Sequence, residues 1–175
     1  MTEILAVFER AQQMVAAGDW EGVFQLLDDS TVQAVGSNSL HWLVSQSPED
    51  WADYPQLPLA ELRAMSERMQ ASAQAVLASP GDLALSLAHR DLVKQQSALA
   101  KKAVTGQSKA LGQIESLRRR RGQGGSISSS LFQGESLKDI RVTGSQAVAT
   151  RVYANGVQEP LQFKRRRDGW KIKPL

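Results

Sequence analysis

Residues 148–173 read VATRVYANGVQEPLQFKRRRDGWKIK, and this stretch decides the fold class. Runs of alternating apolar and polar residues are separated by Asn155-Gly156 and then by Asp168-Gly169. Asn-Gly and Asp-Gly are the pairs preferred in two-residue type I′ turns between antiparallel strands. The stretch therefore predicts two consecutive β-hairpins, which together form an antiparallel meander.

The two turns also predict which side chains share a face of the sheet. Taken as two-residue loops, the first places Val148 opposite Phe163, and the second places Arg167 opposite Trp170. A slip of one residue would send every side chain to the other face, so this register matters. The shared apolar face is predicted to carry Val148, Phe163, Trp170 and Ile172, joined by Ile140 and Val142 from the preceding strand.

Upstream of the meander the apolar residues recur at three- and four-residue spacing, which predicts helices. Two adjacent helices meet at the short junction Ala17-Gly18-Asp19-Trp20, and a long helical hairpin turns at Ser79-Pro80-Gly81. We expect a single α+β domain over residues 1–175, in which N-terminal helices and a long helical hairpin pack on a C-terminal antiparallel β-meander of about four strands. The expected parts are a helical part (1–121), a Gly- and Ser-rich connection (122–134) and the meander (135–175).

Residues 28–57 lack clear periodicity, which predicts short helix and loop. Three of the four tryptophans lie between residues 20 and 51, among many acidic side chains. Large aromatic side chains fill cores, and they also dominate binding surfaces. The region therefore has two interpretations, a packed core and an acidic aromatic surface for a partner.

The net charge of +3 conceals a strong asymmetry along the chain. Residues before Pro58 include nine acids and one base, whereas those after Leu117 include thirteen bases and four acids. Two interpretations follow: the acidic part folds onto the basic part, or the basic part meets an anionic partner. The chain has no cysteine, which excludes a disulfide framework, a thiolate zinc site and a cysteine nucleophile. Since the sequence also lacks a signal-peptide pattern and a membrane-spanning run, we expect a cytoplasmic protein with no membrane partner.

The first helix ends at Gly18-Asp19-Trp20, the second carries Phe24-Gln25-Leu26-Leu27-Asp28, and the chain closes in Arg167-Asp168-Gly169-Trp170-Lys171-Ile172. In these features it resembles the nuclear transport factor 2-like superfamily, over residues 1–35 and 135–175. The resemblance implies a cystatin-like α+β cone, in which a curved sheet covers a pocket, and it implies frequent dimers. That superfamily includes enzymes, transport adaptors and binding modules, so the fold does not decide the function. No catalytic residue of its enzymes has a counterpart that this sequence allows us to assign.

Chemical motifs are scarce. His41 and His89 lie far apart and have no acids or histidines at metal-ligand spacing. The Gly-rich stretch at residues 122–125 follows an arginine run rather than a strand, so it does not match a nucleotide-binding loop. We therefore expect no cofactor, no metal and no catalytic residues, which favours a non-enzymatic protein.

Two basic runs remain as candidate sites. Arg118–Arg121 is explained by the favourable interaction of cations with a helix C-terminus. In the meander, alternation predicts a basic outer face, and three further residues at its end suggest an anion site at the mouth of a cone. The candidate binding face is Arg141, Arg151, Lys164, Arg166, Lys171 and Lys173. The candidate pocket mouth is Arg165, Arg167 and Trp170.

These features favour a non-enzymatic protein-binding module, such as an adaptor or immunity protein, which binds through the basic sheet face and the acidic aromatic region. An acidic protein is the expected partner, and a homodimer is left open. One alternative is a small-molecule-binding or catalytic cone with Trp170, Arg165 and Arg167 at its mouth. A third is nucleic-acid binding, although Tyr153 is the only aromatic residue that would stack with bases beside this face.

Overall fold

The computed structural model describes residues 1–174, so the expected end of the meander at Leu175 lies outside the described residues. Helices are followed by a C-terminal four-stranded antiparallel sheet, which confirms the predicted α+β class. In the described range no helix combines the length and the apolar character that crossing a bilayer requires. The elements are α1 (Thr2–Ala17), α2 (Trp20–Leu26), α3 (Asp29–Ser45), a 3-10 helix (Pro48–Trp51), α4 (Leu59–Ala78), α5 (Leu83–Val104), α6 (Ser108–Arg120), β1 (Ser136–Thr143), β2 (Gln146–Val152), β3 (Gln158–Arg166) and β4 (Gly169–Lys173).

Two groups of buried apolar side chains organise the fold. One lies among α2, α3, α6 and the adjoining ends of α4 and α5. The other lies between α1 and the inner face of the sheet, where the Phe8 ring meets the edge of Phe132 at a centroid distance of 5.2 Å. Leu27 pairs in parallel with Ile172 of β4, and the backbone N–H of Asp28 donates to the Ile172 carbonyl at 2.9 Å. The segment between α2 and α3 therefore borders β4 and joins the two groups.

The sheet has the order β1-β2-β3-β4, and the turn between β2 and β3 differs from the predicted one. The Tyr153 N–H donates to the Val157 carbonyl, so three residues, Ala154 to Gly156, form the loop. Of these only Gly156 has a positive φ, 84°. This conformation is typical of a type I turn followed by a left-handed glycine, whereas type I′ requires positive φ at two residues.

The longer loop shifts the register of β2 by one residue, so the predicted faces of this strand are wrong. Ala149 lies opposite Leu161 and is buried, whereas Val148 lies opposite Gln162 and is 45% exposed. Since side chains alternate along a strand, Ala147, Ala149 and Arg151 face the core in place of Val148.

The turn between β3 and β4 is also displaced, here by two residues. Arg165 lies opposite Trp170, and Arg167 and Asp168 form the loop before Gly169, whose φ is 117°. A shift of two residues preserves the alternation, so Phe163, Trp170 and Ile172 lie on one buried face as predicted.

Strand β1 contains a β-bulge between Lys138 and Arg141, and Asp139 within it has a φ of 53°. A bulge adds one residue to a strand and so changes which side chains point outward. As a result Lys138 lies opposite Thr150 on the outer face, while Ile140 packs against the core behind the sheet.

Helix α3 replaces much of the short helix and loop predicted for residues 28–57. Its buried residues include Val32, Gly36, Ser39, Leu40 and Leu43, which follow helical spacing. The small residues stand where neighbouring helices come close: a Cβ on Gly36 would press into the Leu111 side chain. Glycine and serine therefore occupy core positions, which makes the apolar periodicity of this helix hard to recognise in the sequence.

Helices α4 and α5 form the predicted long hairpin, whose base packs on α3. The buried residues of α4 are Leu59 and Leu62, and those of α5 are Ala100 and Val104, all near the base. Beyond them no side chain in either helix is fully buried. We call the part between Arg63 and Leu99 the arm.

Candidate functional site

The outer face of the sheet carries basic side chains and no acidic one at its paired strand positions. Five of the six predicted residues lie there, and the bulge adds Lys138. Lys164 and Lys171 stand directly opposite each other on β3 and β4, an arrangement of like charges that costs stability. We call the following set the basic face: Lys138, Arg141, Lys164, Arg166, Lys171 and Lys173.

Arg151 does not belong to this face, and its predicted place there is wrong. It is 9% exposed and points to the inner side, because the three-residue loop reverses the faces of β2. Its guanidinium forms a two-pronged ion pair with the Glu135 carboxylate, through Nε and through an Nη2–Oε1 contact of 2.7 Å. The guanidinium also lies 5.1 Å from the Phe132 ring and 4.3 Å from the Tyr153 ring. Arg151 is therefore a structural residue.

Two cations of the basic face are held by neighbouring groups. Arg166 forms an ion pair with Asp29 at the start of α3, at 2.8 Å. The Lys171 ammonium donates to the Gln25 carbonyl at 2.7 Å and to Asp168 at 2.5 Å. The hydrogen bond from Lys171 lowers the pKa of the Asp168 carboxyl. Within the described residues the remaining four form no ion pair: Lys138, Arg141, Lys164 and Lys173.

Open grooves flank the basic face. One, of about 410 Å³, runs between the N-terminal end of α3 and the outer side of β2 and β3, and its lining includes Gln146, Gln162, Lys164 and Lys173. Another, of about 600 Å³, lies beside the β3–β4 turn. Its basic lining residues are Arg10, Arg166, Arg167 and Lys171.

The predicted pocket mouth is only partly assembled. The Arg165 guanidinium lies 5.9 Å from the Trp170 ring, whose Nε1 donates to Glu3 at 2.9 Å. Trp170 is itself buried, and Arg167 lies in the turn, where it lines the 600 Å³ groove instead. Behind Trp170 the inner face of the sheet packs on α1 rather than on a pocket.

The arginines at the end of α6 also contact other parts of the fold, in addition to their favourable interaction with the helix C-terminus. Arg119 lies 3.7 Å from the Trp20 ring, and Arg121 forms an ion pair with Asp50 at 2.6 Å, which lowers the pKa of Asp50. Trp20 and Trp42 are almost fully buried. Of the two interpretations of this region, the packed core therefore holds for these two tryptophans.

Arg119 also contacts a fully buried carboxylate, Glu115, at 2.9 Å. Glu115 accepts further hydrogen bonds from the Ser39 hydroxyl (3.3 Å) and from the backbone N–H groups of Ser126 (3.1 Å) and Ile127 (3.3 Å). Sequence reasoning missed this cluster because its members lie on α3, α6 and the Gly-rich connection. It fastens the connection to the helices and has the character of a structural network.

The two histidines lie apart. Burial lowers the pKa of His41, which lines a shallow groove with Trp42 and Arg118. His89 lies on the arm. In the described part of the chain no group of three or more histidines and carboxylates is placed to hold a metal ion.

Asp28 links the sheet to α3, and its removal gives a first test of the structure. Its carboxylate accepts from the Thr31 N–H at 3.1 Å and from the Ser30 and Thr31 hydroxyls at 2.9 Å each. Asp28→Ala is expected to lower the free energy of unfolding at neutral pH by about 1 to 2 kcal/mol, as is usual for loss of an N-cap. Urea unfolding monitored by circular dichroism measures this change.

The loss of stability caused by Asp28→Ala should also depend on pH. Burial acts to raise the pKa of Asp28, but the hydrogen bonds from Ser30 and Thr31 outweigh it and lower the pKa. Because the folded pKa lies below the ordinary value of 3.8, the stabilisation is complete above that value and is lost as the pH falls through the folded pKa. Asp82→Ala is the matched control, since Asp82 caps α5 at the exposed tip of the arm. An equal effect of both substitutions on global unfolding would contradict this role of Asp28.

Comparison of the chain with protein-family models, curated proteins and solved structures found no match. The resemblance to the nuclear transport factor 2-like superfamily thus stays a prediction.

Proposed function

We propose that this chain is a non-enzymatic protein-binding module of the adaptor or immunity type, which binds an acidic surface of another protein with its basic face. The observation that supports it best is the set of six cations, without an acid, at the paired outward positions of the sheet. Four of these cations, Lys138, Arg141, Lys164 and Lys173, form no ion pair within the described residues, so an anionic partner could pair with them. We place this encounter in the cytoplasm, the compartment expected from the sequence.

A protein surface fits the basic face better than a small molecule does. Four strands about 4.8 Å apart, of five to nine residues each, give a face of roughly 20 Å by 25 Å, or roughly 500 Å². This area is about two thirds of the roughly 800 Å² that each partner contributes to a standard interface. The groove along α3 would extend the contact, because the edge of the partner's acidic patch would bind in this groove.

A nucleic acid is less well supported, because base stacking needs aromatic rings that are free to receive a base. The Tyr153 ring is not free in this way. The Arg151 guanidinium lies 4.3 Å from the ring, and the Tyr153 hydroxyl donates a hydrogen bond to Glu159 at 2.6 Å. That hydrogen bond raises the pKa of Tyr153. A small-molecule or catalytic cone is less well supported too, since the inner face of the sheet is filled by side chains.

The test is a charge reversal of cations that form no ion pair within the described residues. The triple substitution Arg141→Glu, Lys164→Glu and Lys173→Glu is expected to remove the partner from the proteins that the immobilised chain captures from a lysate. Capture by the unaltered chain should also weaken steeply with salt, because charges at an exposed face are screened within about 10 Å at 0.1 M ionic strength. Mass spectrometry of the captured proteins gives the measurement.

The matched control makes the same change in charge on the arm, where Arg68, Arg90 and Lys94 are exposed. Reversing these three should leave capture unchanged. If both triple variants capture the same proteins, the basic face is not the binding site. If the unaltered chain instead retains single-stranded RNA as firmly as it retains any protein, a nucleic-acid function replaces the one proposed.

A further inference from the structure

The groove of about 600 Å³ beside the β3–β4 turn lies where this turn meets the helical part of the chain. We call it the turn groove. Its lining comes from Arg10 of α1, from α2 and the start of α3, from Thr105 and Gly106 between α5 and α6, and from the β3–β4 turn. Sites for small molecules usually have volumes of about 300 to 1,000 Å³. The turn groove is therefore large enough for a small molecule.

The charged side chains of the turn groove leave two cations without a partner. Four cations and two acids line it: Arg10, Arg166, Arg167, Lys171, Asp29 and Asp168. Arg166 pairs with Asp29 at 2.8 Å, and Lys171 pairs with Asp168 at 2.5 Å, so both carboxylates are neutralised by a neighbour. Arg10 and Arg167 form no ion pair within residues 1–174. Four positive charges minus two negative charges leave a net charge of +2, which these two guanidinium groups carry.

The start of α6 adds to the positive potential of the turn groove. Ser108, the first residue of this 13-residue helix, is part of the lining. The N-cap residue Gln107 makes no side-chain capping hydrogen bond, and the first turn of α6 contains no acid. The N–H groups at such a helix end attract anions. The helix dipole thus acts in the same direction as Arg10 and Arg167.

The uncharged part of the lining indicates what else a ligand would contact. It includes the apolar side chains of Leu26, Leu27 and Val32 and the hydroxyl groups of Thr105 and Ser108. Ligand sites commonly combine apolar lining with a few charged groups that fix the orientation of the ligand. Among the described lining residues none is aromatic, so a nucleobase would find no ring on which to stack. An aliphatic or sugar group fits this lining better than a nucleobase does.

We propose that the turn groove binds a small molecule that carries a phosphate monoester, with Arg10 and Arg167 as its phosphate-binding residues. A phosphate monoester carries a charge of about −1.5 to −2 at pH 7, which matches the net charge of the lining. Guanidinium groups bind phosphate oxygens through paired, charge-assisted hydrogen bonds. The site goes beyond the proposed protein-binding function and does not depend on it, since Arg10 and Arg167 lie outside the basic face.

Isothermal titration calorimetry of the full chain provides the test, with inorganic phosphate, glycerol phosphate and glycerol as the probes. Inorganic phosphate is expected to bind, and glycerol phosphate should bind at least as tightly, because the groove has room beyond the phosphate group. Glycerol alone should not bind. Arg10→Gln and Arg167→Gln should each weaken the binding of glycerol phosphate by about tenfold, as expected for loss of a hydrogen bond to a charged group. Both side chains are exposed, so circular dichroism should show an unchanged fold.

The matched controls make the same change in charge elsewhere. Arg141→Gln on the basic face and Arg68→Gln on the arm alter exposed arginines and should leave the affinity for glycerol phosphate unchanged. An NMR titration of the unaltered chain with inorganic phosphate locates the site without any substitution. The backbone amide signals of Gly106, Ser108 and Asp168 should shift, whereas those of β1 should not.

Three results would overturn the inference. The first is that neither inorganic phosphate nor glycerol phosphate binds at millimolar concentration. The second is that all four variants weaken binding equally, which would show a general attraction to the positive charge of the chain. The third is that the chain binds vesicles containing phosphatidic acid but no soluble phosphate monoester, which would make the turn groove a site for a membrane surface.

Discussion

Replacing Arg151 with alanine is expected to lower the free energy of unfolding by about 3 to 5 kcal/mol, the usual cost of breaking a buried ion pair by removing one partner. The substitution leaves the Glu135 carboxylate, whose side chain is only 5% exposed, without its cation. It also removes the guanidinium that lies beside Phe132 and Tyr153. Chemical denaturation followed by tryptophan fluorescence measures the change.

Arg141→Ala is the natural control, because Arg141 is exposed on the same sheet and forms no ion pair within the described residues. Its effect should stay within about 0.5 kcal/mol, as is typical of surface substitutions. The double variant Arg151→Met and Glu135→Leu should regain much of the lost stability, since a buried ion pair replaced by apolar residues is often neutral. An Arg151→Ala variant that unfolds like Arg141→Ala would show that Arg151 is a surface residue after all.

Glu115→Ala is expected to destabilise the helical part by a similar amount, about 3 to 5 kcal/mol. Its carboxylate is fully buried, and its loss leaves the Ser126 and Ile127 N–H groups without their acceptor and Arg119 without its counterion. Since this carboxylate holds the Gly-rich connection, residues 122–130 should become more accessible. Hydrogen exchange of these amides and thermal unfolding together measure the effect.

Glu67→Ala serves as the comparison, because Glu67 is exposed on α4 and should affect stability little. Gly125→Ala tests the same cluster from the other side: a Cβ at this position would collide with the Glu115 carboxylate and the Arg119 guanidinium. A stable protein that carries alanine at both 115 and 125 would contradict the role of the network.

Much of the sheet is predictable from the sequence, and the errors in the predicted sheet have a local cause. Asn155-Gly156 fits a two-residue type I′ turn and also a three-residue loop with only the glycine left-handed. The two loops differ by one residue in register, which is enough to move Val148 outward and Arg151 inward. At the second turn the predicted register is wrong by two residues, so the side chains of β3 and β4 still lie on their predicted faces. The fold class and the basic character of the outer face are therefore predictable, whereas membership of that face depends on the turn.

The features that escaped prediction depend on partners distant in sequence. The carboxylate that holds Arg151 is Glu135, just before β1, and nothing in the alternation of β2 indicates it. The core of α3 uses Gly36 and Ser39 because α6 and the Gly-rich connection approach closely there. Small residues at such positions resemble loop residues in a sequence pattern, so only the neighbouring elements reveal them as core.

The bulge in β1 bears on how the protein resists aggregation. Leu27 and Asp28 border β4, so β1 is the edge of the sheet where another chain could add a strand. An unbroken edge invites intermolecular pairing and fibre growth, and natural proteins interrupt it with bulges and charges. Asp139 has a left-handed conformation within the bulge between Lys138 and Arg141, and it carries a charge, so this edge has both kinds of interruption. The irregularity that brings Lys138 to the basic face thus also makes the free edge a poor template for amyloid-like growth.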